Sequence, residues 1–215
     1  MVKEETIAPV LDVSIDGRYI ENRDFVPSSP LILIKVWDEN KHIFKTDTSG
    51  MKLYLSLPCE QAPCDLIPVS LSSPEIAWYP ATTTTPFTIE FRPSNLTNGI
   101  YTFRVEAVDG KSNASGSEPY EIQFTVNSES SVSIIDPYPN PFTTDVYVKI
   151  IIAGNQVPDA FDMRIIDVNG KQVAHYADYS NSTLHIGTNV ISWDGTDMSG
   201  NTLASGVVPQ ISCIM

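Results

Sequence analysis

No apolar run in this chain of 215 residues approaches the roughly 20 residues that a helix needs to cross a bilayer, so no transmembrane segment is expected. Basic residues are scarce as well. Thirteen Lys and Arg stand against 26 Asp and Glu, a formal net charge of −13. A chain of that sign repels phosphate backbones, which argues against nucleic acid as a partner. Histidine occurs only at His42, His175 and His185, and no G-x-S-x-G, H-E-x-x-H or phosphate-loop pattern is present. Catalysis needs placed groups, either two carboxylates or a nucleophile with its base. No such constellation is legible, so the chain reads as a non-enzyme with no catalytic residue and no cofactor.

Cysteine is sparse too. Cys59 and Cys64 sit in "LPCEQAPCDL", and Cys213 stands apart near the end. The C-x4-C pair fits a local disulfide, half a metal site or two free thiols. A structural zinc site needs about four ligands and no second pair follows, so metal is the weakest of the three. A disulfide would imply an oxidising compartment. Extended stretches of Ala, Leu, Glu and Lys are also missing, and with them any helical period. The abundance of Thr, Ser, Val, Ile and Tyr favours an all-β protein.

Strand signals follow one another in the first two-thirds. "APVLDVSIDG" runs into the turn signal Asp16-Gly17. "PLILIKVWDEN" reads as a strand from Leu31 to Trp37, closed by Asp38, Glu39 and Asn40. Alternation places Met51, Leu53, Leu55 and Leu57 on one face, then Phe87, Ile89 and Phe91. It does the same for Tyr101, Phe103, Val105 and Ala107, before Asp109-Gly110, and for Tyr120, Ile122, Phe124 and Val126. Short strands at roughly ten-residue spacing, with turns between, predict a β-sandwich. The Cys…Trp…Cys pattern of true immunoglobulin domains is absent.

The polar segment "VNSESSVS", Val126 to Ser133, is the best linker, with the junction near Glu129 to Val132. Beyond it the β pattern restarts with Asp145–Ile152. In "FDMRIIDVNGKQVAHY", Asn169-Gly170 predicts a type I′ hairpin. The expectation is two tandem immunoglobulin-like β-sandwich domains, residues 1–130 and 131–215.

The stretch "NVISWDGTDMSGNTLASGVVPQISCIM" presents oxygen-rich side chains at near-alternate positions, as "DVNGK" does at Asp167. Calcium takes six to eight oxygens and its loops usually close on a bidentate carboxylate; neither stretch supplies one. The competing account makes Asp194 and Asp197 side chains that accept nearby backbone amides in turns. In that account Trp193 ends a strand and fills a core, Asp194-Gly195 and Ser199-Gly200 turn the chain, Leu203 re-enters the core, and Gly206 lets a last strand begin close to its neighbour.

Three segments carry a family resemblance. "PYPNPFTTDVYVKIII" (Pro137 to Ile152) resembles the N-Y-P-N-P-F opening of the C-terminal domains used by the type IX secretion system of Bacteroidota. "DVNGKQV" (Asp167 to Val173) resembles the next hairpin of that family. "GTNVISWDGTDMSGNTLASGV" (Gly187 to Val207) resembles its closing motif, which is shared with the immunoglobulin-like domain of flagellar hook-capping proteins. Upstream, "LDVSIDGRYIENRDFVPSSPLILIKVWDEN" and the segments after it are similar to the β-sandwich that precedes the sorting domain, most of all in the gingipain-related (C25 family) peptidase that acts as the type IX sortase.

The resemblance implies a sorting or anchoring module, a secreted or cell-surface location reached through the periplasm, and the outer-membrane translocon as partner. The catalytic domain of such a peptidase lies upstream and is not matched here. The start, "MVKEETIAPVLDVS", lacks an apolar leader core. The resemblance therefore implies the C-terminal portion of a longer exported protein. Its motif positions are Asn140, Pro141, Phe142, Asn169, Gly170, Trp193, Asp194, Gly195, Asp197, Gly200, Leu203 and Gly206. The family's last strand reads G-V-Y-x-Y, whereas here Val208 replaces the tyrosine and Pro209 removes a ladder donor. From the residues alone the rival reading is an adhesion or glycan-binding module with an aromatic platform of Trp78, Tyr79 and Tyr101.

Overall fold

The computed structural model describes residues 9–37, 44–61, 63–108, 114–167, 169–176 and 184–203, with the backbone of 210–214. The turn residues Asp38–Asn40 and Asp109-Gly110, and also His42, Gly206, Val208 and Pro209, lie outside these. Every regular element among the described residues is a β-strand. Contacts divide the chain into two compact units, Met1–Asn127 and Ser128–Met215.

The first unit holds β1 (Val10–Ile15), β2 (Asp24–Val26), β3 (Ile32–Trp37), β4 (Lys52–Ser56), β5 (Leu66–Val69), β6 (Ile76–Tyr79), β7 (Phe87–Phe91), β8 (Gly99–Glu106) and β9 (Tyr120–Val126). They form two sheets, ordered β1-β3-β7-β6 and β2-β9-β8-β4-β5. Pairing is antiparallel except where β2 runs parallel to β9. Alternation explains the layering. Every second residue of β3, β7 and β8 points inward, and Val13, Ile34 and Ile89 line up across three strands. One apolar cluster joins the inner faces of both sheets, with Phe91 and Phe103 in contact across it at 5.9 Å. Burying each such ring contributes about 1.5–3 kcal/mol, which is what holds two sheets face to face.

Two departures from the sequence reading have local causes. Leu57 does not extend the inner face of β4 and is half exposed. The strand stops at Ser56, two residues before Pro58, which has no N–H to give the ladder. β5 and β6 carry no alternation of burial and escape a periodicity reading; both are edge strands, and β5 tolerates Pro68 for that reason. Asp16-Gly17 forms the turn expected of it, a tight two-residue turn with both residues at positive φ (49° and 77°), closed by reciprocal hydrogen bonds between Ile15 and Arg18. A disulfide joins Cys59 to Cys64 in the loop between β4 and β5.

The second unit holds β10 (Ser131–Tyr138), β11 (Val146–Ala153), β12 (Asp162–Ile166), β13 (Gln172–Tyr176), β14 (Gly187–Trp193) and β15 (Gln210–Ile214). Its antiparallel sheets are ordered β10-β11-β14 and β13-β12-β15. Val146 and Trp193 from one sheet meet Ile165, Val173 and Ala174 from the other in a shared core, again a sandwich. The expected linker is shorter than its composition suggested. Ser131–Ser133 already pair with Ile151–Ala153, so only Asn127–Ser130 lie between strands. A serine-rich strand gives no apolar signal, and the ladder that recruits it is long-range. At the other end, Gln210–Ile214 pair with β12 over their full length despite the missing tyrosine. Backbone pairing does not depend on which side chain the strand carries.

Candidate functional site

Trp193 is the last residue of β14 and is 3% exposed. Its indole N–H donates to the carbonyl of Thr196 at 2.8 Å, which satisfies the one polar atom of a buried ring and folds the chain back over it. The ring of Phe142 lies 5.3 Å from the indole, brought there by the exposed Asn140-Pro141 segment between β10 and β11. Gly195 follows with φ +73°, and a Cβ at this position would sit 2.8 Å from the Thr144 carbonyl and 3.1 Å from the Phe142 ring. Its own carbonyl accepts the N–H of Leu203 at 2.8 Å, and Leu203 packs against the same core. Phe142, Trp193, Gly195 and Leu203 therefore form one packing unit, although 61 positions separate the first from the last.

The close approach at Gly195 has a measurable consequence. Gly195→Ala adds a left-handed backbone penalty to a carbonyl clash, a loss of about 2–4 kcal/mol. Urea titration of the second unit should show the midpoint fall with the slope unchanged. A variant of wild-type stability would mean that the loop moves freely away from Thr144.

Two loops beside this core share one hydrogen-bond pattern. In Asp167–Lys171 the Asp167 N–H donates to the Lys171 carbonyl, and the Gly170 N–H donates to the Asp167 carbonyl (2.8 and 2.9 Å). The Asp167 carboxylate accepts the N–H groups of Asn169 and Lys171 at 2.8 and 2.9 Å. In Asp197–Asn201, Asp197 exchanges the same bonds with Asn201 and Gly200, each at 2.9 Å, and its carboxylate accepts the N–H groups of Ser199 and Asn201, also at 2.9 Å. This corrects the type I′ turn expected at Asn169-Gly170. The turn starts one residue earlier, at Asp167, and Gly170 at φ +82° follows it as a bulge. The register accordingly shifts between Ile165 and Ile166. Asp167 decides this, because its carboxylate captures two amides that a two-residue turn would leave elsewhere.

The loops touch each other. The side-chain amide of Gln172 lies 3.6 Å from the Met198 sulfur, and the charge of Lys171 acts on both Asp167 and Asp197. Asp194 accepts the hydroxyl and the N–H of Thr196 at 2.7 and 3.1 Å. Hydrogen bonds hold all three carboxyls below the ordinary carboxylate range: the Lys171 amide first for Asp167, the Thr196 hydroxyl for Asp194, the Asn201 amide for Asp197. The oxygens that a calcium loop would aim at an ion are here spent on backbone amides. Among the described residues no group of three or more His, Cys, Asp or Glu is placed to hold a metal.

Depressed carboxyl pKa values contribute stability that is complete above the unfolded value near 4 and is lost as pH falls through the folded values. Acidification below about pH 4 should therefore lower the melting temperature of the second unit. The double variant Asp167→Asn, Asp197→Asn keeps the acceptor oxygens without the charge. It should flatten that acid limb, and an unchanged slope would show that other carboxylates carry it.

A shallow cavity of about 480 Å³ opens beside these loops, lined in part by Asp145, Asp194, Asp197, His175 and Tyr176. The Tyr176 hydroxyl donates to the Ser192 carbonyl at 3.2 Å and ties edge strand β13 to edge strand β14. His175 contacts Asp162 at 2.6 Å, and that bond, ahead of Arg164, holds the Asp162 carboxyl low. Thr144, Asp162 and His175 were not among the motif positions. Thr144 meets Gly195, and Asp162 meets His175, across separate segments of the chain, so local spacing carries no sign of these contacts. Gly206 falls outside the described residues. The aromatic platform does not assemble: Tyr101 is 1% exposed, stacked on Phe124 at 5.4 Å with its hydroxyl donating to the Thr97 carbonyl at 2.9 Å. Only Trp78 and Tyr79, on edge strand β6, reach the surface.

No family model matches the chain, and no curated protein matches it. Among solved structures it is similar to the crystal structure of dimeric latent PorU from Porphyromonas gingivalis, at 19% sequence identity and a TM-score of 0.39. The match covers 97% of this chain and 19% of that one, so the chain spans about a fifth of the length of that protein.

Proposed function

We propose that the second unit is a sorting module of the type IX secretion kind and that the first is a structural spacer ahead of it. The observation that supports this reading is the convergence of the three motif segments on one end of one sandwich. Phe142 of the first segment packs on Trp193 of the third, Gly195 closes on Thr144, and the Asp167 loop of the second meets the Asp197 loop. A module of this type acts by being bound. A folded, asymmetric surface is presented to the outer-membrane machinery, and no bond is made or broken. In this reading the exposed, rigid loops at Asp167 and Asp197 form the recognised surface, and the core beneath them keeps their geometry. The parent would be an exported protein of Bacteroidota with a catalytic domain upstream, and the module would leave it secreted or anchored at the cell surface.

The test is a fusion of the full chain to the C-terminus of a fluorescent protein carrying a periplasmic leader, in a Bacteroidota host. Fluorescence should reach the surface or medium in the wild-type host and remain periplasmic when the type IX translocon is deleted. Periplasmic retention in both hosts would overturn the reading.

A further inference from the structure

The first unit contains a second cavity, of about 390 Å³, on the outer face of the sheet ordered β2-β9-β8-β4-β5. Its wall includes the Cys59–Cys64 disulfide with Pro58 and Leu66, and the half-exposed Ile100 adds apolar surface. Its floor is a polar ladder. Ser56 accepts the Thr102 N–H at 2.9 Å, and Gln123 donates to the Thr102 hydroxyl at 3.3 Å.

Two arginines line this cavity, and they differ. Arg104 is neutralised by Glu121, with contacts of 2.9 and 2.8 Å. Arg23 has no carboxylate partner among the described residues; its Nε donates to the Gln123 side chain at 2.9 Å, which leaves the terminal nitrogens of the guanidinium unspent. Arg23 is also one of three non-glycine residues with positive φ among the described residues, at +68°. A left-handed arginine persists only where its surroundings over-determine it. Here its N–H donates to the Gln123 carbonyl at 2.8 Å and its carbonyl accepts the Thr125 hydroxyl at 3.0 Å. The neighbouring Asn22 side chain accepts the Gln123 N–H at 3.0 Å. The backbone is thus held in an uncommon conformation that sets an uncompensated cation at the cavity, in a chain of net charge −13.

We infer that this cavity binds a small monocarboxylate with an apolar body, the carboxylate on Arg23 and the body against Pro58, Leu66 and Ile100. A guanidinium fork matches a carboxylate in two parallel hydrogen bonds. A phosphate would bring a second charge with no cation left to meet it, since Glu121 already takes Arg104. The floor hydroxyls of Ser56 and Thr102 supply neutral donors.

Calorimetric titration of the full chain tests this with two acids, hexanoate and N-acetyl-leucine, and with hexanamide as the neutral control. The first acid stands for a simple aliphatic acid and the second for a peptide C-terminus; the tighter of the two identifies the source. Saturable binding of at least one acid, and none of hexanamide, is expected. Arg23→Gln should weaken it roughly tenfold, the usual scale for one lost charge-assisted pair. Ile100→Glu, on an exposed position, sets a like charge at the cavity and should abolish binding even if the first variant proves unstable. Absence of saturable binding by both acids, equal binding of hexanamide, or wild-type affinity in both variants would overturn the inference.

Discussion

Trp193→Ala is expected to unfold the second unit at temperatures where the first remains folded. The substitution removes a 3% exposed indole that touches Phe142, and it leaves the Thr196 carbonyl without its donor. Truncation of a buried Trp costs about 3–5 kcal/mol. Small domains have only about 5–15 kcal/mol in total. At roughly 4–8 °C per kcal/mol for a unit of this size, the melting temperature of the second unit should fall by more than about 12 °C. The loss should exceed that of any single loop substitution, because the indole fills the core at the point where the first and third motif segments pack together. Scanning calorimetry of the full chain would show one transition displaced and one in place. In the export assay the same variant should leave the fusion periplasmic, since the loops at Asp167 and Asp197 lose the core that positions them. A displacement of only a few degrees would show that the motif tryptophan is peripheral, and the account of the site built on it would fail.

Phe103→Ala should do the corresponding damage to the first unit. Phe103 is fully buried on β8, and its ring meets Phe91 of the opposite sheet. The loss of transfer free energy and the cavity left behind together amount to about 3–5 kcal/mol. The expected calorimetric signature is the reverse of the first, with the transition of the first unit displaced and that of the second unchanged. If the first unit acts as a spacer, translocon-dependent export should survive this variant in any molecules that escape periplasmic proteolysis. Simultaneous displacement of both transitions would show that the two units melt as one, and would remove the basis for giving them separate roles.

The strands that were legible in the sequence are those buried on one face. Phe87, Ile89 and Phe91 announce β7 because alternation is the direct imprint of a half-buried pleat. β5, β6 and β10 were not legible. They sit at sheet edges, where one neighbour is missing and apolar residues are not required in alternation. The turns divide in the same way. Asp16-Gly17 formed the tight turn its residues favour, whereas at Asn169-Gly170 the similar dipeptide signal lost to a carboxylate two residues upstream.

Composition and periodicity by themselves determined that this protein is built of β-strands, because the inward face of each central strand must be apolar and that requirement is written locally. Residue order also determined the two Asp-centred loops, since each is closed by side-chain and backbone bonds spanning at most four positions. What only the tertiary structure decided is which of these pieces meet. The packing of Phe142 on Trp193 and the pinning of Gly195 against Thr144 depend on ladders and cores that join distant segments. So do the burial of Tyr101 and the placing of Arg23 at a cavity. No local preference encodes such contacts, because their free energy is gained only when the sheets close on one another.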